Sequence, residues 1–195
     1  MNGILVGDPV FYYLSLRFPL VKMPVPWLTT RMYNELMENN RILFIHGSES
    51  NSQTYKAQVL RGLFPDILVP DFTGPLAVRM AQLEDILKEA SGWTLIGSSL
   101  GGLMAVYYAS RHPEQVRKLI LLAPALHLAE FAQHLPKPIR VPAVLIIGKK
   151  DDVIPGELVH RIARRILNHL SYISVDDDHR LHHTADHLDW EELLA

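Results

Sequence analysis

A chain of 195 residues with 48% apolar content is long enough to bury one core and short for two, so a single domain over residues 1–195 is expected. Its formal charge of −2, from 19 basic and 21 acidic side chains with no like-charged block outside Asp176–Asp178, gives no footing for nucleic acid or an anionic membrane surface. Cysteine is absent, which excludes disulfides, cysteine-ligated zinc and a thiol nucleophile and suits a reducing compartment, so a cytoplasmic location is expected.

Residues 1–40 follow no regular pattern, with prolines recurring from Pro9 to Pro26. Val10–Phe18 could form an edge strand or hairpin and Thr30–Met37 a short helix, or the segment could be an arm over the core or toward another subunit. The apolar stretch Val10–Leu16 does not read as a secretory leader. Asp8 precedes it, no basic residue stands before it, and Arg17, Pro19 and Lys22 cut it short. No stretch approaches the roughly 18–20 uninterrupted apolar residues needed to span a bilayer.

After residue 40, short apolar runs rich in β-branched residues alternate with longer helical periodicities, the pattern of βαβ units. Strands are expected at Ile42–His46, Ile67–Val69, Thr94–Gly97, Lys118–Leu122, Ala143–Ile147 and Tyr172–Val175. Most are almost continuously apolar, as parallel strands covered on both faces are. Leu76–Ala90 reads as an amphipathic helix, with Met80, Leu83, Ile86 and Leu87 on one stripe and Arg79, Glu84, Asp85 and Lys88 opposite. Leu100–Arg111 is a more apolar helix. Glu157–Asn168 is a third, with Leu158, Ile162 and Ile166 inward and Arg161, Arg164 and Arg165 outward, and Asp186–Leu194 is a short last one.

Trp93–Gly102 reads W-T-L-I-G-S-S-L-G-G, a buried strand, then Gly97-Ser98-Ser99-Leu100-Gly101, then a helix. This is G-x-S-x-G in the strand–turn–helix context that exposes a strained serine, Ser99, beside a helix N-terminus. The bland reading is a tightly packed βα turn or a phosphate loop, but no G-x-G-x-x-G or Walker lysine accompanies it. A serine hydroxyl needs a positioned base, and in this arrangement the chain order is Ser, then Asp or Glu, then His. After the strand Ala143–Ile147 come Lys149-Lys150-Asp151-Asp152, two carboxylates at a strand's C-terminal end. These could equally be a solvated turn capping the helix that starts near Pro155. After Tyr172–Val175 comes Asp176-Asp177-Asp178-His179. His179 is closest to the strand end and is taken as the base; His182, His183 and His187 are its rivals. A metal site using His183 and His187 at i and i+4 lacks an H-E-x-x-H arrangement, and no metal or organic cofactor is expected.

With the early strand ending in His46-Gly47-Ser48, the chain resembles the α/β-hydrolase superfamily. Its motifs appear here in order as His46-Gly47, Gly97–Gly101, Gly148-Lys149-Lys150-Asp151 ahead of Pro155, and Asp178-His179, over residues 41–195. The resemblance implies a mostly parallel sheet with helices on both faces. It implies an oxyanion hole from the backbone amides of Ser48 and Leu100, a loop-ordering role for His46, and Asp151 rather than Asp152 as the acid. Larger members insert a helical cap where only Ala123–Val141 stands here, so the cap is minimal, as in compact bacterial esterases and thioesterases of the superfamily. The activity implied is hydrolysis of a small-molecule carboxylic ester or thioester through an acyl-enzyme on Ser99. The alternatives are an amidase or peptidase with the same triad, and a non-catalytic binding module using Ala123–Val141 as its contact surface. Oligomeric state is left open.

Overall fold

The computed structural model describes residues 41–194 apart from residue 89; the readings made for residues 1–40 lie outside the described residues. Five parallel strands form one sheet in the order β1 (Arg41–Ile45), β2 (Trp93–Ser98), β3 (Val116–Leu122), β4 (Ala143–Gly148) and β5 (Leu170–Val175). The helices are α1 (Tyr55–Leu63), α2 (Leu76–Leu87), α3 (Leu100–Arg111), α4 (Ala129–Gln133), α5 (Gly156–Ile166), α6 (His182–His187) and α7 (Trp190–Leu194). β2 and β4 are buried along their whole length, which is why their sequences carry no alternation. β5 has no fully buried residue, and Ser171, Tyr172 and Ser174 are exposed, as befits an edge strand.

The expected Ile67–Val69 strand shrinks to one bridge, Leu68 with Leu43, held by Phe44 N–H to the Leu68 carbonyl (2.9 Å) and Leu68 N–H to the Ile42 carbonyl (3.0 Å). Pro70 follows at once and has no N–H for a ladder. That bridge decides the site, because β1 pairs with Leu68 on one side and with β2 on the other. The chain leaves β1 in one direction and returns past it in the other. Such a reversal makes a topological switch, and the crevice beyond the strands' C-terminal ends is where sites of open parallel sheets lie.

Helix α1 packs on α6, α2 on α3, α3 on β1–β3, and α5 on β4 and β5. α3 buries most of its length, from Gly101 to Val106 together with Tyr108 and Ala109. Helix α1 lies outside the expected elements, since only Ala57 and Leu60 are buried in it. In α5 the inward residues are Val159, Ile162, Ala163 and Ile166, whereas Leu158 is 38% exposed. The expected Asp186–Leu194 helix is instead two short ones. The break at Leu188 lets Trp190 fold back and donate from Nε1 to the Ala185 carbonyl (2.8 Å). A further correction concerns Arg79, expected on the solvent face of α2 but only 7% exposed. Between β3 and β4 only α4 forms, so the cap is minimal. No helix among the described residues is long and apolar enough to cross a membrane.

Candidate active site

Ser99 sits between the last residue of β2 and the first of α3, at φ 54° and ψ −117°. A non-glycine residue holds this positive φ only when its surroundings over-determine it. Here its N–H donates to the Leu122 carbonyl (2.9 Å), and its own carbonyl accepts from the amides of Gly102 (3.0 Å), Leu103 (3.3 Å) and Ala125 (3.0 Å). The flanking glycines are steric necessities. A Cβ on Gly97 would stand 2.5 Å from the Gly101 carbonyl oxygen, and one on Gly101 would stand 2.0 Å from that of Ile45. Ser98 is buried (6% exposed) and Ser99 is less so.

Asp151 and His179 come from the loops after β4 and β5, and the structure brings them together. His179 Nδ1 lies 2.9 Å from Asp151 Oδ2. The carboxylate side chain is 1% exposed and the imidazole 22%. The other carboxylate oxygen accepts the amides of Val153 (2.9 Å) and Ile154 (2.8 Å), so the turn-capping reading of this loop and the acid reading fall on one side chain. Facing a carboxylate, Nδ1 is assigned the proton, which leaves the Nε2 lone pair free. Asp152 is exposed. Gly148 permits this juxtaposition, since a Cβ there would lie 2.3 Å from the Asp177 carbonyl oxygen.

A cavity of about 500 Å³ is lined by Gly47, Ser48, Ser98, Ser99, Val153 and His179, with Tyr55, Lys56, Arg180 and His182 among its other walls. Ser99 and His179 thus share one cavity, with no hydrogen bond between them among the described residues. Of the rival histidines, only His182 reaches the cavity, where its ring packs 4.6 Å from that of Tyr55. Burial first, then the charges of Lys56 and Arg180, hold His182 below its ordinary pKa. His183 and His187 are exposed, and their rings stack on each other at 4.2 Å.

The Leu100 amide opens α3 and, as a first-turn N–H, has no intrahelical partner. The Ser48 turn lies against Ser99, where a Cβ on Gly47 would come 3.3 Å from the Ser99 Cβ. His46 is 1% exposed. Its Nδ1 donates to the Gly47 carbonyl (2.8 Å) and its Nε2 accepts the Phe72 amide (2.9 Å), a pairing that needs the neutral ring. Burial is the main cause that holds its pKa low.

Sequence reasoning missed Arg79 and the wall made by α1. From Arg79, Nε donates to the Gly74 carbonyl (2.8 Å), Nη1 to Gly47 (3.3 Å) and Nη2 to Ser48 (3.1 Å). The signal was spacing: Arg79 stands three residues after Leu76 and four before Leu83, on the apolar stripe. From α1, the Tyr55 hydroxyl donates to the Asp186 carboxylate (2.7 Å to Oδ2), and Lys56 Nζ donates to the Arg180 carbonyl (2.5 Å). Burial brings Lys56 down to about 8.

A family profile described as the alpha/beta hydrolase fold matches residues 52–137. The biotin biosynthesis bifunctional protein BioHC of Teredinibacter turnerae is 35% identical over 95 residues, 42% of this chain and 17% of that protein; the chain thus matches only a small part of that relative's length. Among solved structures, a Xanthomonas campestris protein described as of the alpha/beta hydrolase superfamily is 26% identical with a TM-score of 0.64, over 79% of this chain and 96% of that one. A monoacylglycerol lipase of Paleococcus ferrophilus is 15% identical with a TM-score of 0.63, over 80% and 95%. That last likeness is one of fold. Together with the parallel sheet and its serine turn, these matches show that the chain has the α/β-hydrolase fold and resembles that superfamily.

Proposed function

We propose that the protein is a serine hydrolase that cleaves a small-molecule carboxylic ester or thioester, with Ser99 as nucleophile, His179 as base and Asp151 as the acid that orients it. The observation that carries the reading is the 2.9 Å hydrogen bond between buried Asp151 and His179, which lines the same cavity as Ser99. A carboxylate on Nδ1 fixes the tautomer whose Nε2 can take a proton and stabilises the imidazolium that results.

In the proposed reaction the Ser99 oxygen attacks the substrate carbonyl carbon while its proton passes to His179 Nε2. The carbonyl oxygen becomes an oxyanion received by the amides of Ser48 and Leu100. Collapse of the tetrahedral adduct expels the alcohol or thiol, which takes the proton from His179, and leaves an acyl-Ser99. Water then repeats the sequence with His179 again as base, releasing the carboxylic acid and restoring the serine hydroxyl. Preorganised donors at an oxyanion are worth about 3–4 kcal/mol each, so Ser48 and Leu100 would each contribute a factor of about 10² to 10³ in rate.

The test is labelling with a fluorophosphonate followed by peptide mapping, together with turnover of a short neutral ester. The wild type is expected to be labelled on Ser99. Ser99→Ala and His179→Ala should each lose several orders of magnitude in kcat with the circular dichroism unchanged, because members of a triad act as a unit. Label on another serine, or a Ser99→Ala protein that keeps more than a few per cent of its turnover, removes the assignment.

A further inference from the structure

Arg79 is a buried guanidinium with no carboxylate within ion-pair distance among the described residues, and its three hydrogen bonds all go to backbone carbonyls. A cation withdrawn from water without an anionic partner is costly, and the cost is offset only where every donor finds an acceptor. The carboxylate of Asp71, which accepts the Ser52 amide, is exposed and makes no ion pair with Arg79 among the described residues. Two of the three carbonyls belong to Gly47 and Ser48. The Gly47 carbonyl accepts from three donors, His46 Nδ1 (2.8 Å), Ser50 Oγ (3.2 Å) and Arg79 Nη1 (3.3 Å).

The peptide unit that ends in the Gly47 carbonyl oxygen begins, on its other side, with the Ser48 N–H. In a planar trans peptide the two point in opposite directions, and the described residues contain no cis bond. Three donors gathered on the oxygen therefore fix the heading of the amide, and Arg79 also holds the next peptide through the Ser48 carbonyl (3.1 Å). A fixed positive charge at the oxygen end also polarises the peptide and makes its N–H a stronger donor. We propose that Arg79 is a positioning residue that aims and polarises the Ser48 amide at the oxyanion, which rests on the reading of that amide as an oxyanion donor. Arg79 touches no substrate in this scheme. Lysine is a poor substitute, because a point charge on a flexible stem cannot bridge three carbonyls in a plane.

The experiment compares the full chain with Arg79→Met and Arg79→Lys in three readouts: Ser48 amide exchange by NMR, kcat and KM on 4-nitrophenyl acetate, and inhibition by phenylboronic acid, which forms a tetrahedral adduct on serine. Arg79→Met is expected to speed exchange of the Ser48 amide and to lower kcat by about 10- to 100-fold with KM within about threefold. The boronate inhibition constant should rise in proportion to the loss of kcat, and Arg79→Lys should recover part of each effect. A general packing defect would not couple boronate affinity to kcat in this way. A Ser48 amide unaffected in both variants, or a loss confined to KM, overturns the proposal. Should the Met variant fail to fold, the Lys variant decides, with the same directions expected at smaller size. Absence of turnover and of boronate binding in the wild type would sink the hydrolase reading instead, and the Ser48 amide response would still decide whether Arg79 positions it.

Discussion

His46 joins two loops through a ring that works only when neutral, with Nδ1 donating to Gly47 and Nε2 accepting from Phe72. Burial is the largest cause that keeps its pKa below the ordinary 6.5; the Arg79 charge adds to this, while the Gly47 carbonyl and Asp71 oppose it. The unfolded chain takes up a proton at this ring as pH falls through 6.5, and the folded chain resists it. The stability that His46 confers is thus present above 6.5 and lost below it. Urea unfolding of the wild type and His46→Asn between about pH 5 and pH 8 should show a gap in unfolding free energy that narrows as pH falls below 6.5. A gap independent of pH would contradict this. Single residues were unevenly legible in the sequence. Order and strand position pointed to His179, which lies against Asp151, whereas nothing in their spacing separates Asp151 from Asp152, and they differ in burial and in which one meets the imidazole. Arg79 was misplaced because a charged side chain on an amphipathic helix is assigned to water, and here backbone carbonyls replace the water.

At the scale of elements, the ends of β4 and β5 are zipped together past Gly148. Lys149 N–H donates to the Val175 carbonyl (2.8 Å) and Lys150 N–H to the Asp177 carbonyl (3.0 Å). Gly148→Ala would put a Cβ 2.3 Å from the Asp177 carbonyl oxygen and 2.7 Å from that of Asp178. Both contacts are with backbone, so relief requires the two loops to part. The substitution should cost about 1–3 kcal/mol in urea unfolding and a larger factor in turnover, because the parting separates Asp151 from His179. Unchanged turnover on a short ester would show that the loops have slack. Buried strands such as β2 and β4 were legible because continuous apolar runs between turn residues have few other outcomes. Helix α1 was not, because its burial comes from two small or medium residues and from partners, α6 above all, that lie more than a hundred positions away. The Leu68 bridge was read as a strand because a sequence window does not reveal how soon a neighbour runs out.

For the whole molecule, four short motifs in a fixed order were enough to anticipate a parallel α/β sheet, since each needs a strand end to hold it and the strands must then lie side by side. What no motif carried was the wall of the cavity, where α1 meets the loop after β5 through Lys56 and Arg180. The two halves of the site also differ in how deeply they are held. Ser99 follows β2, which is flanked by β1 and β3, while His179 follows β5, the edge of the sheet among the described residues. Edge strands with half-exposed faces open at lower free energy than central ones. In a denaturant series, turnover should therefore fall at a lower concentration than the far-ultraviolet circular dichroism signal, and coincident curves would argue that sheet and site open together.

The exposure of β5 has a practical counterpart. On mild heating the working range of the protein would be set by fraying at one margin, with the interior intact and recovery immediate on cooling. Reinforcing that margin alone, by stronger strand formers at the exposed Ser171 and Ser174, would then widen that range while leaving the melting temperature almost where it was.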